Sequence, residues 1–223
     1  MPIKAVVFDL DDTLYPEKDY VMSGFSAVAE YAQAALKIER AKSELVKLFE
    51  NSRAGVFDRF AKAHGFDGET AKRLTELYRE HKPKLRLSDE VKQTLVKLRD
   101  VGYKLGIITD GRPQGQRNKI TALGLTELTD EIIITDELGG AEFRKPHPKA
   151  FELMCERLNI TPEQMLYVGD NPQKDFAIKQ RLPVLTARVF THNALYADTE
   201  YIFGIQPDFE LQNVTDLEHV SEF

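Results

Sequence analysis

Four short polar clusters hold the residue types that chemistry needs. Asp9, Asp11 and Asp12 follow the run Ala5-Val6-Val7-Phe8, with Thr13 just behind them. Thr109-Asp110-Gly111 ends a second apolar run, Lys145 stands before Pro146, and Asp170, Asn171 and Asp175 follow a third run, Met165 to Val168. A carboxylate at Asp9 can attack phosphorus in line and form an aspartyl-phosphate. The phosphoryl group is itself negative, so such an attack needs a cation to screen both partners. Asp9 and Asp170 are candidate side-chain ligands for a hard, oxygen-seeking Mg²⁺. The Thr109 hydroxyl and the backbone N–H groups of the turn at Asp110 and Gly111 suit phosphoryl oxygens. Lys145, whose backbone the following proline biases towards an extended form, offers a cation to the transferring group and to the nucleophile.

Such clusters need rigid elements behind them. Ala5 to Phe8 reads as a strand buried on both faces. Ser88 is a plausible N-cap for a helix carrying Val91, Leu95 and Leu98, which stops at Gly102. Tyr103 to Thr109 reads as a strand, a helix ends at Leu123-Gly124, and Ile132 to Thr135 is a third strand. Pro148 opens a helix with Phe151, Met154, Cys155 and Leu158 on one face. Met165 to Val168 is a fourth strand, after which Pro172 starts another helix with Asp175 in its first turn. Val184 to Val189 is a fifth strand, Phe209 to Leu211 a short edge strand, and Asp216 to Val220 a terminal helical turn. Strands alternating with helices predict an α/β fold, a Rossmann-like doubly wound parallel sheet. The C-terminal ends of its strands share one edge, where open α/β sheets bind ligands. All four clusters are expected there.

Between the first strand and Ser88 the rhythm is helical only. Val21, Phe25, Val28, Ala32 and Ala35 make one apolar stripe. Ala41, Leu45, Leu48 and Phe49 make a second, Val56, Phe57, Phe60 and Ala61 a third, and Ala71, Leu74, Leu77 and Tyr78 a fourth. The division expected is a core from residues 1–16 and 84–223 with a small helical bundle, residues 17–83, inserted as a cap.

The chain has 223 residues, 42% hydrophobic and 30% charged, with a formal net charge of −6. That balance gives no electrostatic footprint for nucleic acid or an anionic membrane. One cysteine, Cys155, rules out an internal disulfide and permits a reducing compartment. Met1 to Lys4 lead directly into the first strand, so no leader is expected, and no apolar run nears the roughly 18 residues of a membrane span. A soluble cytoplasmic protein is expected, without nucleic-acid or membrane partners and with its oligomeric state open.

D-x-D-x-T at 9–13, the threonine at 109, K-P at 145–146 and G-D-x4-D at 169–175 together resemble the haloacid dehalogenase superfamily, in its magnesium-dependent phosphatase-like branch. The resemblance implies a Rossmann-like core with a mobile helical cap after the first strand. It also implies Mg²⁺-dependent hydrolysis of a small phosphorylated metabolite, a sugar phosphate or a nucleoside monophosphate, through an aspartyl-phosphate on Asp9. The metal would take Asp9, Asp170 and the backbone carbonyl of Asp11. The Asp11 side chain would protonate the leaving oxygen and then deprotonate water. Asp175 would support the site by holding Lys145 or a metal-bound water, with Asn171 beside it. A phosphomutase shares all these residues and stays open as an alternative, as does a binding or regulatory module of the same fold. A dehalogenase needs no proton donor two residues after its nucleophile, and here Asp11 stands in that place. Asp12 reads as a turn residue and Cys155 as core. Arg53, Arg59 and His64 on the insert read first as a solvated face. Arg112 and Arg117 are candidates for a second anionic group, Arg144 equally reads as surface charge, and His147 and His192 receive no role.

Overall fold

The computed structural model describes residues 2–190 and 199–219. They form two compact units, Met1–Glu17 with Arg86–Phe223, and Lys18–Leu85.

The first unit is built on six strands: β1 (Ala5–Phe8), β2 (Lys104–Thr109), β3 (Glu131–Ile134), β4 (Met165–Gly169), β5 (Leu185–Val189) and β6 (Phe209–Leu211). Their order is β3-β2-β1-β4-β5-β6 and every pairing is parallel. The expected doubly wound sheet is thus present. β1 lies at its centre, with Val7 opposite Gly106 of β2 and Tyr167 of β4. All four of its residues are fully buried, as a strand covered on both faces requires.

After the four helices of the insert, this unit carries α5 (Asp89–Asp100), α6 (Pro113–Ala122), α7 (Leu125–Leu128) and α8 (Lys149–Leu158). Ser88 caps α5 by accepting the Val91 N–H, and Asp89 and Glu90 sit at the positive end of its dipole. α8 packs Ala150, Phe151, Met154, Cys155 and Leu158 onto Val7, Ile108 and Tyr167. Truncating one such buried aromatic, Phe151→Ala, costs about 3–5 kcal/mol. Burial pushes the Cys155 thiol up to about 11, as for an inert core residue.

Two expectations need correction. No α-helix starts at Pro172: the chain makes tight turns and then a 3₁₀ segment, Ala177–Gln180. Phe176, Ala177 and Ile178 are three consecutive buried residues, which an amphipathic helix with one inward face cannot supply. Instead Asn171 Oδ1 accepts the Gln173 N–H at 2.9 Å, and the Asp175 carboxylate turns back to accept the Asn171 N–H at 2.9 Å. Thr135 also leaves the third strand early, into a 3₁₀ turn, Thr135–Leu138. The terminal turn runs Val214–His219; Val220 lies outside the described residues, as does His192.

The second unit holds α1 (Glu17–Leu36), α2 (Ala41–Asn51), α3 (Val56–Ala63) and α4 (Gly68–Glu80), the first residue of α1 belonging to the other unit. Their apolar stripes meet in a core of Val21, Phe25, Val28, Ala32, Leu45, Phe57, Phe60 and Leu74. Asp67 caps α4 by accepting the Thr70 N–H at 3.0 Å. Arg59 gathers the carbonyls of Leu48, Ser52 and Ala54, and His64 pairs with Glu44 at 2.6 Å. Both hold the bundle together. Arg53 lies over the Phe49 ring. No described helix is long and apolar enough to cross a membrane.

Candidate active site

The C-terminal edge of the sheet gathers the polar clusters. Asp9 leaves β1 with its N–H on the Val168 carbonyl at 2.8 Å. The Lys145 ammonium reaches it from the loop before α8, 2.7 Å from Asp9 Oδ1 and 2.8 Å from Asp175 Oδ1. It also donates to the Tyr167 hydroxyl at 2.7 Å. The Lys145 and Asp175 side chains are wholly buried. A buried lysine with three such oxygens holds its proton: burial would lower its pKa, but Asp175 and Asp9 raise it well above the ordinary value.

Asp170 follows at the end of β4. Ligand oxygens of Asp9, Asp170 and Asp175 lie within 4.8 Å of one another. Burial, then the charges of Asp175, Asp9 and Asp12, push Asp170 up to about 9. Asp9 is pushed up to about 6 by burial and by Asp175, against the opposing pull of Lys145. Asp170 Oδ2 is buried with no hydrogen-bond partner. A buried carboxylate oxygen without a donor is costly on its own. A divalent cation would supply the missing charge, and an all-oxygen donor set suits a hard ion such as Mg²⁺. Asp175 commits Oδ1 to Lys145 and Oδ2 to the Asn171 N–H, whereas Asp9 meets Lys145 through Oδ1, which leaves Asp9 Oδ2 and the Asp170 carboxylate as the side-chain oxygens fitted to a metal.

Thr109 ends β2, fully buried, and Gly111 takes φ +136°, a turn that a side chain would strain. The Asp110 carboxylate is occupied. Its Oδ1 accepts the Thr135 hydroxyl at 2.9 Å and the Lys145 N–H at 3.1 Å, and its Oδ2 pairs with Lys174 at 3.1 Å. Burial opposes ionisation here, but Lys145 and Lys174 outweigh it and hold Asp110 below the usual carboxylate range. Asp110 therefore ties the loops of β2, β3 and Lys145 together.

Asp11 is held from α6. Its Oδ1 accepts from Lys119 Nζ at 2.8 Å and from the Tyr15 hydroxyl, and its Oδ2 from Lys119 at 2.8 Å and Gln116 Nε2 at 3.1 Å. The same Gln116 amide donates to Thr109 Oγ1 at 2.5 Å. Burial alone would raise the Asp11 pKa; Lys119, then Tyr15 and Gln116, bring it below the ordinary value. Asp12 takes φ 55° and its Oδ1 accepts the Glu17 N–H, the behaviour of a turn residue.

Sequence reasoning passed over Tyr15, Gln116, Lys119, Tyr167 and Lys174. Gln116, Lys119 and Ile120 are the buried residues of α6, so its inward stripe is partly polar and does not announce itself as a core face. Pro113 at the start of the helix and the i, i+3 spacing of Gln116 and Lys119 were the available signal. Arg117 and Arg144 are spoken for, Arg117 forked on Glu137 and Arg144 on Asp136. His147 accepts the Lys149 N–H at the start of α8.

Residues 6–189 match the family model described as haloacid dehalogenase-like hydrolase. The chain belongs to that family. It is 32% identical over 227 residues to a glyceraldehyde 3-phosphate phosphatase of Methanopyrus kandleri, covering 96% of this chain and 95% of that protein. It is 26% identical to the pyrophosphatase PpaX of Oceanobacillus iheyensis, covering 97% of this chain and 96% of that protein. Among solved structures, a phosphatase of the family from Thermococcus onnurineus superposes with a TM-score of 0.63 at 25% identity, over 99% of this chain and 98% of that one.

Proposed function

We propose that this protein is a Mg²⁺-dependent phosphatase acting on a small phosphorylated metabolite, with Asp9 as the nucleophile. One observation carries the reading: Lys145 is buried between Asp9 and Asp175 beside an Asp170 oxygen that has no partner. That combination is costly for stability alone and fits a site that binds a cation and an anion.

Lys145 holds Asp9 through Oδ1, which fixes how the carboxylate meets phosphorus. Attack forms the Asp9–phosphorus bond as the bond to the leaving oxygen breaks, leaving an aspartyl-phosphate. Lys145 remains beside the transferring group, and the Thr109 hydroxyl donates to one of its oxygens. Asp11 gives a proton to the leaving oxygen and takes one from the water that releases phosphate. Asp9, Asp170 and the Asp11 carbonyl would hold Mg²⁺, which supplies charge neutralisation for the phosphoryl group when bound. Residues 17–83 act as the cap that selects among leaving groups.

The naming of relatives as glyceraldehyde 3-phosphate phosphatases favours a sugar phosphate over a nucleoside monophosphate. The test is a panel of phosphorylated metabolites, pyrophosphate included, assayed with and without Mg²⁺ for released phosphate. Mg²⁺-dependent release from a short sugar phosphate is expected. Conversion to an isomer without release of phosphate would make the enzyme a mutase, and inertness towards the whole panel would end the reading.

A further inference from the structure

Asp11 and Thr109 sit on different strand ends, yet a single amide joins them, and that amide comes from a helix. Gln116 Nε2 has two protons; one goes to Asp11 Oδ2 and the other to Thr109 Oγ1. The reverse amide orientation would set Oε1 against a carboxylate that can only accept, so chemistry fixes the assignment. A hydroxyl that already accepts from Gln116 keeps its own proton to give elsewhere. The second tie is Lys119, whose side chain is 7% exposed and whose ammonium spans both Asp11 oxygens across 108 residues of sequence. With Tyr15, each Asp11 oxygen accepts from two donors.

An ion pair between a buried lysine and a half-buried aspartate is weak evidence of a stabilising role, because the cost of desolvating the two charges offsets much of their attraction. Its location argues for another use. Gln116 and Lys119 lie one turn apart on α6, and both aim at residues that the phosphatase reading places at the reacting group.

Resting on that reading, we infer that Gln116 and Lys119 are positioning residues of the hydrolysis. Lys119 fixes the Asp11 carboxylate through both oxygens. Gln116 ties Asp11 to Thr109 and turns the Thr109 proton towards the phosphoryl group. α6 thereby sets the proton-handling residue and the phosphate-binding hydroxyl as one unit.

A double-mutant cycle tests this on the full-length protein, with Mg²⁺ and p-nitrophenyl phosphate. Wild type, Lys119→Met, Asp11→Asn and the double variant are compared in the first turnover and at steady state. Lys119→Met is expected to lower steady-state turnover about tenfold or more, within the range of direct coupling between touching groups. In the Asp11→Asn background the same change should add less than twofold, because the inference routes its effect on turnover through Asp11. Lys119→Gln, which keeps an N–H donor, should recover part of the loss. Effects that multiply, or a Lys119→Met enzyme as fast as wild type, overturn the inference. If Lys119→Met does not fold, Gln116→Met with Thr109→Val forms the equivalent cycle, with the same expected non-additivity and the same overturning result. A wild type inert towards every phosphorylated compound sinks the phosphatase reading and this inference with it. An active wild type with multiplying effects sinks this inference alone.

Discussion

The carboxylate of Asp175 occupies the space where a side chain on Gly169 would begin: a Cβ there would stand 2.6 Å from Oδ2 and 2.8 Å from Cγ. The contact involves the body of a buried side chain that is pinned by Lys145 and the Asn171 N–H, so it cannot swing aside freely. Gly169→Ala must displace Asp175 and open the Lys145 pair. Breaking a buried pair costs about 3–5 kcal/mol, and misplacing a catalytic group by about 1 Å costs on the order of 10² in rate. We expect a lower melting temperature and a turnover number reduced about a hundredfold, read by calorimetry and phosphate release. Values within twofold of wild type would show that Asp175 does not order Lys145 for the reaction.

The acidic cluster makes a joint prediction about metal and pH. Burial and mutual repulsion raise Asp170 from the ordinary 3.8 to about 9 and Asp9 to about 6. A carboxyl whose folded pKa is raised binds protons better folded than unfolded. Metal-free stability from these two groups is therefore present at low pH and lost as pH rises from about 4 to about 9. Mg²⁺ binds the ionised forms, so the rise in melting temperature on adding excess Mg²⁺ should grow with pH across that window and nearly vanish near pH 5. Asp170→Asn should raise the metal-free melting temperature at pH 8 and abolish the Mg²⁺ response. A Mg²⁺ shift of equal size in Asp170→Asn would place the metal elsewhere.

Covalent chemistry at Asp9 is checked separately. Asp9→Ala should keep the fold while its phosphatase activity falls to background, and excess EDTA should do the same to wild type reversibly on restoring Mg²⁺. Retained turnover in Asp9→Ala would remove it as nucleophile.

Which of these features could be read from residue order alone follows from physics. The buried strands were legible because Ala5 to Phe8 and Met165 to Val168 are continuous apolar runs. The polar residues that end β1, β2 and β4 were legible together: each alone reads as turn or cap chemistry, but parallel strands bring all of these ends to one edge of the sheet. The α6 contribution was hidden. Lys119 and Gln116 look like a solvated face until the fold turns them inward, and their partner Asp11 is more than a hundred residues away. The stretch after Pro172 misled for the opposite reason. Proline and an acidic first turn mimic a helix start, but the Asp175 carboxylate is drawn into the core by Lys145, and three buried residues in a row then forbid an amphipathic helix.

The helical unit carries its own prediction. Replacing residues 18–85 by a short Gly/Ser linker should leave a protein whose melting temperature still rises with Mg²⁺, because Asp9 and Asp170 both lie in the other unit. Selectivity across the metabolite panel should flatten if the bundle selects the leaving group. An unchanged ranking in the folded variant would assign selection to the loops of the α/β unit.

Asp11 gives the sharpest test, because its surroundings complicate the simplest reading of its role. Lys119, Gln116 and Tyr15 hold it below the ordinary carboxylate pKa, as an ion suited to accept a proton from water. To protonate a leaving alkoxide it must first carry a proton, which the ammonium of Lys119 opposes. A sugar alkoxide needs that proton as its P–O bond breaks, whereas p-nitrophenolate leaves without one. Loss of a positioned acid costs about 10²–10⁴ in rate, or roughly 3–5 kcal/mol of barrier. In Asp11→Asn the first turnover of an alkyl phosphate should therefore slow by at least about 10², and that of p-nitrophenyl phosphate far less. The second step slows for both, because the same carboxylate activates water. The variant should then release a burst of nitrophenolate and stall as aspartyl-phosphate on Asp9, trapped and located by mass spectrometry. Equal slowing of the two first turnovers would show that Asp11 does not protonate the leaving group. The four contacts around it would then serve the second step, in which an ionised Asp11 takes its proton from water.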